Sequence, residues 1–233
     1  MKTIGLIGGM SWESTAHYYR ILNEETSRRL DGFHSAPILL QSLDFAPIEE
    51  LQRADKWDEA GAILAASAKR LEGAGAGVIG LATNTMHIVA AQVMDGIGVP
   101  FVHIADPTAE AVRAKEFRRV GLLGTRFTMG MSFYKDRLKA RGLDVLVPDE
   151  EVPALNAIIY DELCHGVVRD TSRQIFVKSI QRLAERGAQA VILGCTEIGM
   201  LISEATSPLP TFDTTELHAK ALVAVALASE MKS

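Results

Sequence analysis

Two polar tripeptides, Thr83-Asn84-Thr85 and Cys195-Thr196-Glu197, hold the side chains best suited to proton chemistry. Each follows a short apolar run, and the pair recurs at an offset of 112 residues together with Gly75-Ala76 and Gly187-Ala188, and with Leu81 and Leu193. A thiol placed where a strand gives way to a helix has its thiolate stabilised by unpaired backbone N–H groups, so Cys195 is expected to titrate below the usual value of about 8.5, toward neutrality. Such a group takes or returns a proton. The matching position, Thr83, carries a hydroxyl, which donates a hydrogen bond or relays a proton but supplies no ready base at neutral pH. The two positions are therefore not symmetrical partners.

Removing a proton from carbon without an imine electron sink needs donors to stabilise the developing charge. The tripeptide N–H groups with Asn84, Thr85 and Thr196 are the natural candidates for a carboxylate, and as residues near helix starts they also serve as caps. A second anion site has two candidates, Arg126 with Thr125 and Thr128, or Gln52 with Arg53; an arginine binds a carboxylate bidentately, or else solvates a surface. Glu197 and His87 are candidates to orient the thiol. Cys164, between Leu163 and His165 on an amphipathic pattern, reads as core filler. The six histidines show no zinc-ligand spacing, and no metal is expected. A dinucleotide fingerprint, a P-loop and a Gly-x-Ser-x-Gly elbow are all absent from the sequence.

The elements that must position these residues alternate between short apolar runs and helical periodicity, the pattern of parallel sheets flanked by helices. Strands are expected at Thr3–Ile7, Ile38–Ser42, Val78–Ala82, Phe101–His103, Val120–Leu123, Asp144–Val147 and Ala190–Leu193. Helices are expected at Ser11–Leu30, with Ser11 as cap, and at Trp57–Ala74, Thr85–Val93, Phe133–Arg141, Glu151–His165, Thr171–Arg186 and Thr214–Ser229. Gly5-Leu6-Ile7-Gly8 returns as Gly121-Leu122-Leu123-Gly124 at an offset of 116. Near-equal offsets imply two related α/β lobes, with chance likeness between Gly/Ala/Leu-rich units as the competing explanation. In parallel sheets ligands lie beyond the carboxyl ends of the strands, where both tripeptides fall.

The chain has 233 residues, 48% of them hydrophobic and 23% charged, which suits an ordinary globular protein. A formal net charge of −5 without a Lys/Arg stripe argues against a nucleic-acid partner. No apolar run approaches the roughly 20 residues needed to cross a bilayer, so no membrane partner and a cytoplasmic location are expected. With only two cysteines, a reduced state is expected for both.

Gly8-Gly9-Met10-Ser11-Trp12, Thr83-Asn84-Thr85-Met86-His87, Gly124-Thr125-Arg126-Phe127-Thr128 and Gly194-Cys195-Thr196-Glu197 together resemble the motifs of the aspartate/glutamate racemase family, in the family's order along most of the chain. The resemblance implies two pseudo-symmetric lobes, residues 1–100 plus 212–233 and residues 101–211, with the active site in the cleft between them. It implies no pyridoxal phosphate or other cofactor, no metal, an amino-acid substrate and a homodimer. Catalytic roles fall on Cys195 and Thr83, and substrate contacts on Met10, Gln52, Asn84, Thr85, Thr125, Thr128, Thr196 and Glu197. Members generally carry a cysteine in each tripeptide, so Thr83 is a departure. The expected activity is racemisation of aspartate or glutamate favouring the L enantiomer, with Cys195 abstracting the α-proton and reprotonation from the Thr83 side. Two alternatives follow, a one-cysteine decarboxylase of the arylmalonate type and a non-catalytic protein that binds an acidic metabolite. His165 stands where many members have a lysine near the acidic substrate, which leaves the side-chain preference open.

Overall fold

The computed structural model describes residues 1–228, and these divide into two units, Met1–Ile104 with residues 218–228, and Ala105–Leu217. The first unit begins with β1 (Ile4–Gly8), α1 (Trp12–Leu30), β2 (Ile38–Ser42), α2 (Phe45–Arg53), α3 (Trp57–Gly73) and β3 (Val78–Leu81). A 3-10 turn at Thr85–Val89, α4 (Ala90–Met94) and β4 (Phe101–Val102) follow. The strands are all parallel in the order β2-β1-β3-β4. Alternation along the strands sends Ile4 and Leu6 of β1 to one face, against Tyr18 and Leu22 of α1, while Ile7 meets Leu64, Ala68 and Leu71 of α3 on the other. Each such Leu or Ile, fully buried, contributes about 1.5–3 kcal/mol.

The second unit contains α5 (Ala105–Ala114), β5 (Arg119–Gly124), α6 (Arg126–Gly130), α7 (Ser132–Ala140), β6 (Asp144–Leu146), α8 (Val152–Asp161) and α9 (Asp170–Glu185). It closes with β7 (Ala190–Gly194), β8 (Thr211–Asp213) and the start of α10 (Thr214–Leu227), whose residues from His218 belong to the first unit. Its parallel order, β6-β5-β7-β8, repeats that of the first sheet. The letter repeat is thus a repeat of structure, with β1 matching β5 and β3 matching β7.

Several expectations change. Thr85–Val93 is a 3-10 turn leading into the five-residue α4, not one helix. Glu151–His165 is not continuous either: α8 ends at Asp161, a 3-10 turn covers Leu163–His165, and Gly166 takes the left-handed conformation at φ 70°. Glu162 leaves helical geometry there, its carboxylate accepting from the Ser172 hydroxyl at 2.6 Å and from Arg169 at 3.1 Å. The short α2, α5, α6 and β8 were not anticipated. The last helix ends at Leu227, and Ser229 lies outside the described residues.

Candidate active site

In the first unit the turn after β1 is built by the residues that resemble a family motif. Gly9 has φ 90°, and an added Cβ would lie 2.1 Å from the Leu43 carbonyl oxygen, so only glycine fits. Its N–H donates to Thr15 Oγ1 at 2.8 Å, and that hydroxyl in turn donates to the Ser11 carbonyl. Ser11 caps α1 as expected. Met10 is buried beside this turn.

The turn after β3 carries Thr83, Asn84 and Thr85, all buried. The backbone bends sharply, with Thr83 N–H donating to the Leu81 carbonyl at 2.9 Å. The imidazole of His87 lies under the bend, Nδ1 against the Thr83 carbonyl oxygen at 2.7 Å and Nε2 against the Ile104 amide at 3.2 Å. Gln52 is buried at the end of α2 and donates to Met86 Sδ at 3.0 Å, so it belongs to the same end of the unit as the Thr83 turn. Arg53 instead points outward and pairs with Glu49 one turn earlier on α2 at 2.9 Å.

In the second unit Gly124 and Gly194 end adjacent strands in register, which places Thr125 and Cys195 side by side at the carboxyl edge. Thr125 caps α6 by accepting from Thr128 N–H at 3.2 Å, and the two hydroxyls are 3.2 Å apart. Arg126 is exposed, its amide donating to Asn156 and its guanidinium resting 4.7 Å from the Phe127 ring centroid. His165 is exposed too. Structure thus gathers Thr125, Thr128, Cys195, Thr196 and Glu197 at one sheet edge, while Arg53 and Arg126 are occupied by neighbours of their own.

Cys195 is 7% exposed, and its Sγ–H donates to Glu197 Oε2 at 2.9 Å. The same oxygen accepts from the Thr196 hydroxyl at 2.9 Å. The expected lowering of the thiol is overturned: burial first, then the Glu197 charge, push Cys195 well above the ordinary cysteine range. The expected helix is also absent, since only a three-residue 3-10 turn, Ile198–Met200, follows, too short to gather a set of unpaired N–H groups. Cys164 packs against the cluster containing Cys195 and is likewise pushed up, by burial and then by Glu197. Of the two groups considered for orienting the thiol, Glu197 holds it; His87 holds the Thr83 carbonyl instead.

The second turn is fastened by residues that the sequence reading passed over. Thr214 Oγ1 donates to the Leu193 carbonyl at 2.8 Å and Thr215 Oγ1 to the Thr196 carbonyl at 3.4 Å. Asp213 Oδ1 accepts from the Thr215 amide at 2.8 Å. An Asp-Thr-Thr run after the apolar Phe212 is a strand end followed by a capped helix, and it could have been found from that signature.

The sequence model of the Asp/Glu/Hydantoin racemase family matches residues 7–222. The chain belongs to this family. Among solved structures it is similar to a Yersinia pestis protein assigned as an Asp/Glu racemase, at 46% identity and TM-score 0.90, covering 97% of this chain and all (100%) of that one. An aspartate racemase homologue from Pyrococcus horikoshii OT3 follows at 36% identity and TM-score 0.83, covering 97% and 99%. The broad specificity amino-acid racemase RacX of Bacillus subtilis is 26% identical over 161 residues, 69% of this chain and 70% of its own length. Membership makes this chain an isomerase of the amino-acid racemase kind, with a small molecule as substrate. A structure of an arylmalonate decarboxylase variant, at 15% identity and TM-score 0.55, shares the fold alone. Among the described residues no helix is long and apolar enough to cross a membrane.

Proposed function

We propose that the protein racemises aspartate or glutamate without pyridoxal phosphate, reacting preferentially with the L enantiomer, and that Cys195 is the group that takes the α-proton. One observation carries the reading: a buried thiol already donates its proton to a buried carboxylate, Glu197, at the carboxyl edge of a parallel sheet. A thiol held high by burial and by a neighbouring negative charge is by itself a poor base. A bound amino acid brings its ammonium group, whose positive charge beside Cys195 and Glu197 favours the thiolate. The thiol proton passes to Glu197, the thiolate removes hydrogen from the α-carbon, and a carbanion forms that hydrogen bonds to the α-carboxylate stabilise. Asn84, Thr85, Thr196 and the turn N–H groups are the donors assigned to that task, with Met10, Gln52, Thr125 and Thr128 completing the contacts. Inversion is finished by a proton from the Thr83 side, from its hydroxyl or a water next to it.

Mirror-image amino acids have equal energy, so the two directions of inversion share one kcat/KM. One-sidedness must therefore be read in exchange that returns hydrogen to the same face. Incubation in D₂O with each enantiomer of aspartate and glutamate, followed by proton NMR, is the test. Loss of the α-proton signal is expected to be faster from the L enantiomers than from the D, the excess being exchange that returns hydrogen to the same face. Equal exchange from both would defeat the one-base assignment, and no exchange with any amino acid would defeat the racemase reading.

A further inference from the structure

The turn at Thr83 is held by more than the Thr83–Leu81 hydrogen bond of its bend. Two constraints fix the state of His87. A carbonyl oxygen can only accept, so the ring nitrogen 2.7 Å from Thr83 O, Nδ1, must carry a hydrogen. A backbone N–H can only donate, so the nitrogen 3.2 Å from the Ile104 amide, Nε2, must be bare. The imidazole is neutral and in its Nδ1–H form, determined by its neighbours and not by choice of tautomer. Through that ring the turn after β3 is tied to the residue that follows β4 by two, within one unit.

Three aromatic rings also pack around the imidazole. His103 lies edge-on at 4.4 Å between centroids, Phe101 at 5.7 Å and His218 at 6.0 Å. His218 is itself locked, Nδ1 accepting from the Tyr18 hydroxyl and Nε2 donating to the Val102 carbonyl, both at 2.8 Å. The second unit does the same job differently. By the offset of 112, His87 corresponds to Gly199. A Cβ there would lie 2.1 Å from Asp213 Oδ2, so a carboxylate at the end of β8 fills the space that an imidazole fills in the first unit. Only the unit whose tripeptide lacks a thiol carries the histidine.

We infer that His87 is a positioning residue for the proton delivered from the Thr83 side: its neutral ring sets the Thr83 backbone, and with it the direction of the hydroxyl, through the Thr83 carbonyl. The inference rests on the proposed racemase reading and assigns His87 no contact with substrate. It separates two rates that a general loss of structure would lower together. Exchange from the L enantiomer with return to the same face uses Cys195 alone, whereas inversion also needs the Thr83 side.

In the test, His87→Ala and His87→Asn are compared with wild type for both rates on L-aspartate and L-glutamate in D₂O. With His87→Ala, inversion is expected to fall about tenfold relative to exchange, the scale of a modest misplacement of a reacting group. His87→Asn, whose Nδ2–H can reach the same carbonyl, is expected to restore the ratio. A proportional fall in both rates, or no rescue by asparagine, would overturn the inference. A second readout needs no turnover: nitrogen NMR of the labelled enzyme should show His87 neutral with hydrogen on Nδ1 at neutral pH. Hydrogen on Nε2, or a cationic ring, would overturn it even where His87→Ala fails to fold. Should wild type exchange no amino acid at all, the racemase reading fails, and the ring state still decides whether His87 clamps the Thr83 turn.

Discussion

The turn after β3 and the turn after β7 occupy equivalent positions in sheets of the same strand order, and they are held by opposite means. At Thr83 the clamp grips the backbone: an imidazole takes the carbonyl, and the side chain carries no charge. At Cys195 a carboxylate grips the side chain, while the backbone is fastened by the hydroxyls of Thr214 and Thr215. Duplicated architecture fixes where a reactive group stands, and the local hydrogen bonds fix what it can do. One turn pairs a thiol with a carboxylate, and the other holds the backbone of a residue whose side chain is a neutral hydroxyl.

The contrast breaks most readily at the thiol. Cys195→Ser keeps the size of the side chain but not its acidity, so α-proton exchange from L substrates should fall by about 100-fold or more, read by NMR in D₂O. Retained exchange would remove the functional difference between the turns.

Acid should act on the first unit through the buried His218. Burial holds His218 at about 4, below its ordinary value of 6.5. The unfolded chain then binds the extra proton first, so stability is full above about pH 6.5 and declines as pH falls toward 4, by on the order of 3 kcal/mol. Denaturant unfolding across that window, compared with His218→Gln, should show a flatter pH profile in the variant. Glu25, held at about 2 chiefly by its hydrogen bond from Arg28, loses its contribution in a lower window, from about 4.5 down to 2.

Glu197→Gln sharpens the comparison at the second turn. Removing the negative charge takes away one of the two leading causes that hold the thiol high, so alkylation of Cys195 by iodoacetamide should begin at lower pH. Exchange should nonetheless drop about tenfold, because the acceptor of the thiol proton is gone. A faster enzyme would mean that Glu197 only inhibits the thiol. In the other direction, Thr83→Cys should give the first turn a thiol and raise exchange from D substrates about tenfold. If D exchange stays at the wild-type level, Thr83 does not serve the second face.

The smallest effect is expected at the fastening of the second turn. Thr214→Val removes the hydroxyl on the Leu193 carbonyl and should lower the unfolding free energy by about 1 kcal/mol. No change would show that the hydroxyl bond adds nothing to that turn.

Much of the scaffold was legible before folding. Ile38–Ser42 matches β2 residue for residue, and Ser11 caps α1, because a short apolar run and a serine ahead of a helical period are local signals. The misses are local too. α2 and α5 are short, and Glu151–His165 keeps a helical period through a break at Glu162, whose carboxylate is held by Ser172 and Arg169. At the site, Cys195, Thr83 and their tripeptides stood out by repetition, while Asp213, Thr214 and Thr215 did not, having no echo.

The sequence by itself determined two repeated α/β units with polar tripeptides ending matched strands, since periodicity and internal repetition are written in the order of residues. Tertiary structure decided the electrostatics and the clamps. Whether the Cys195 thiol titrates low or high depends on burial and on where the Glu197 carboxylate comes to rest. The ring state of His87 depends on an amide 17 residues away, and the Thr196 carbonyl meets its hydroxyl partner across 19. Such pairings exist only once the strands are packed side by side, because short-range hydrogen bonds and solvent exclusion act through space and not along the chain.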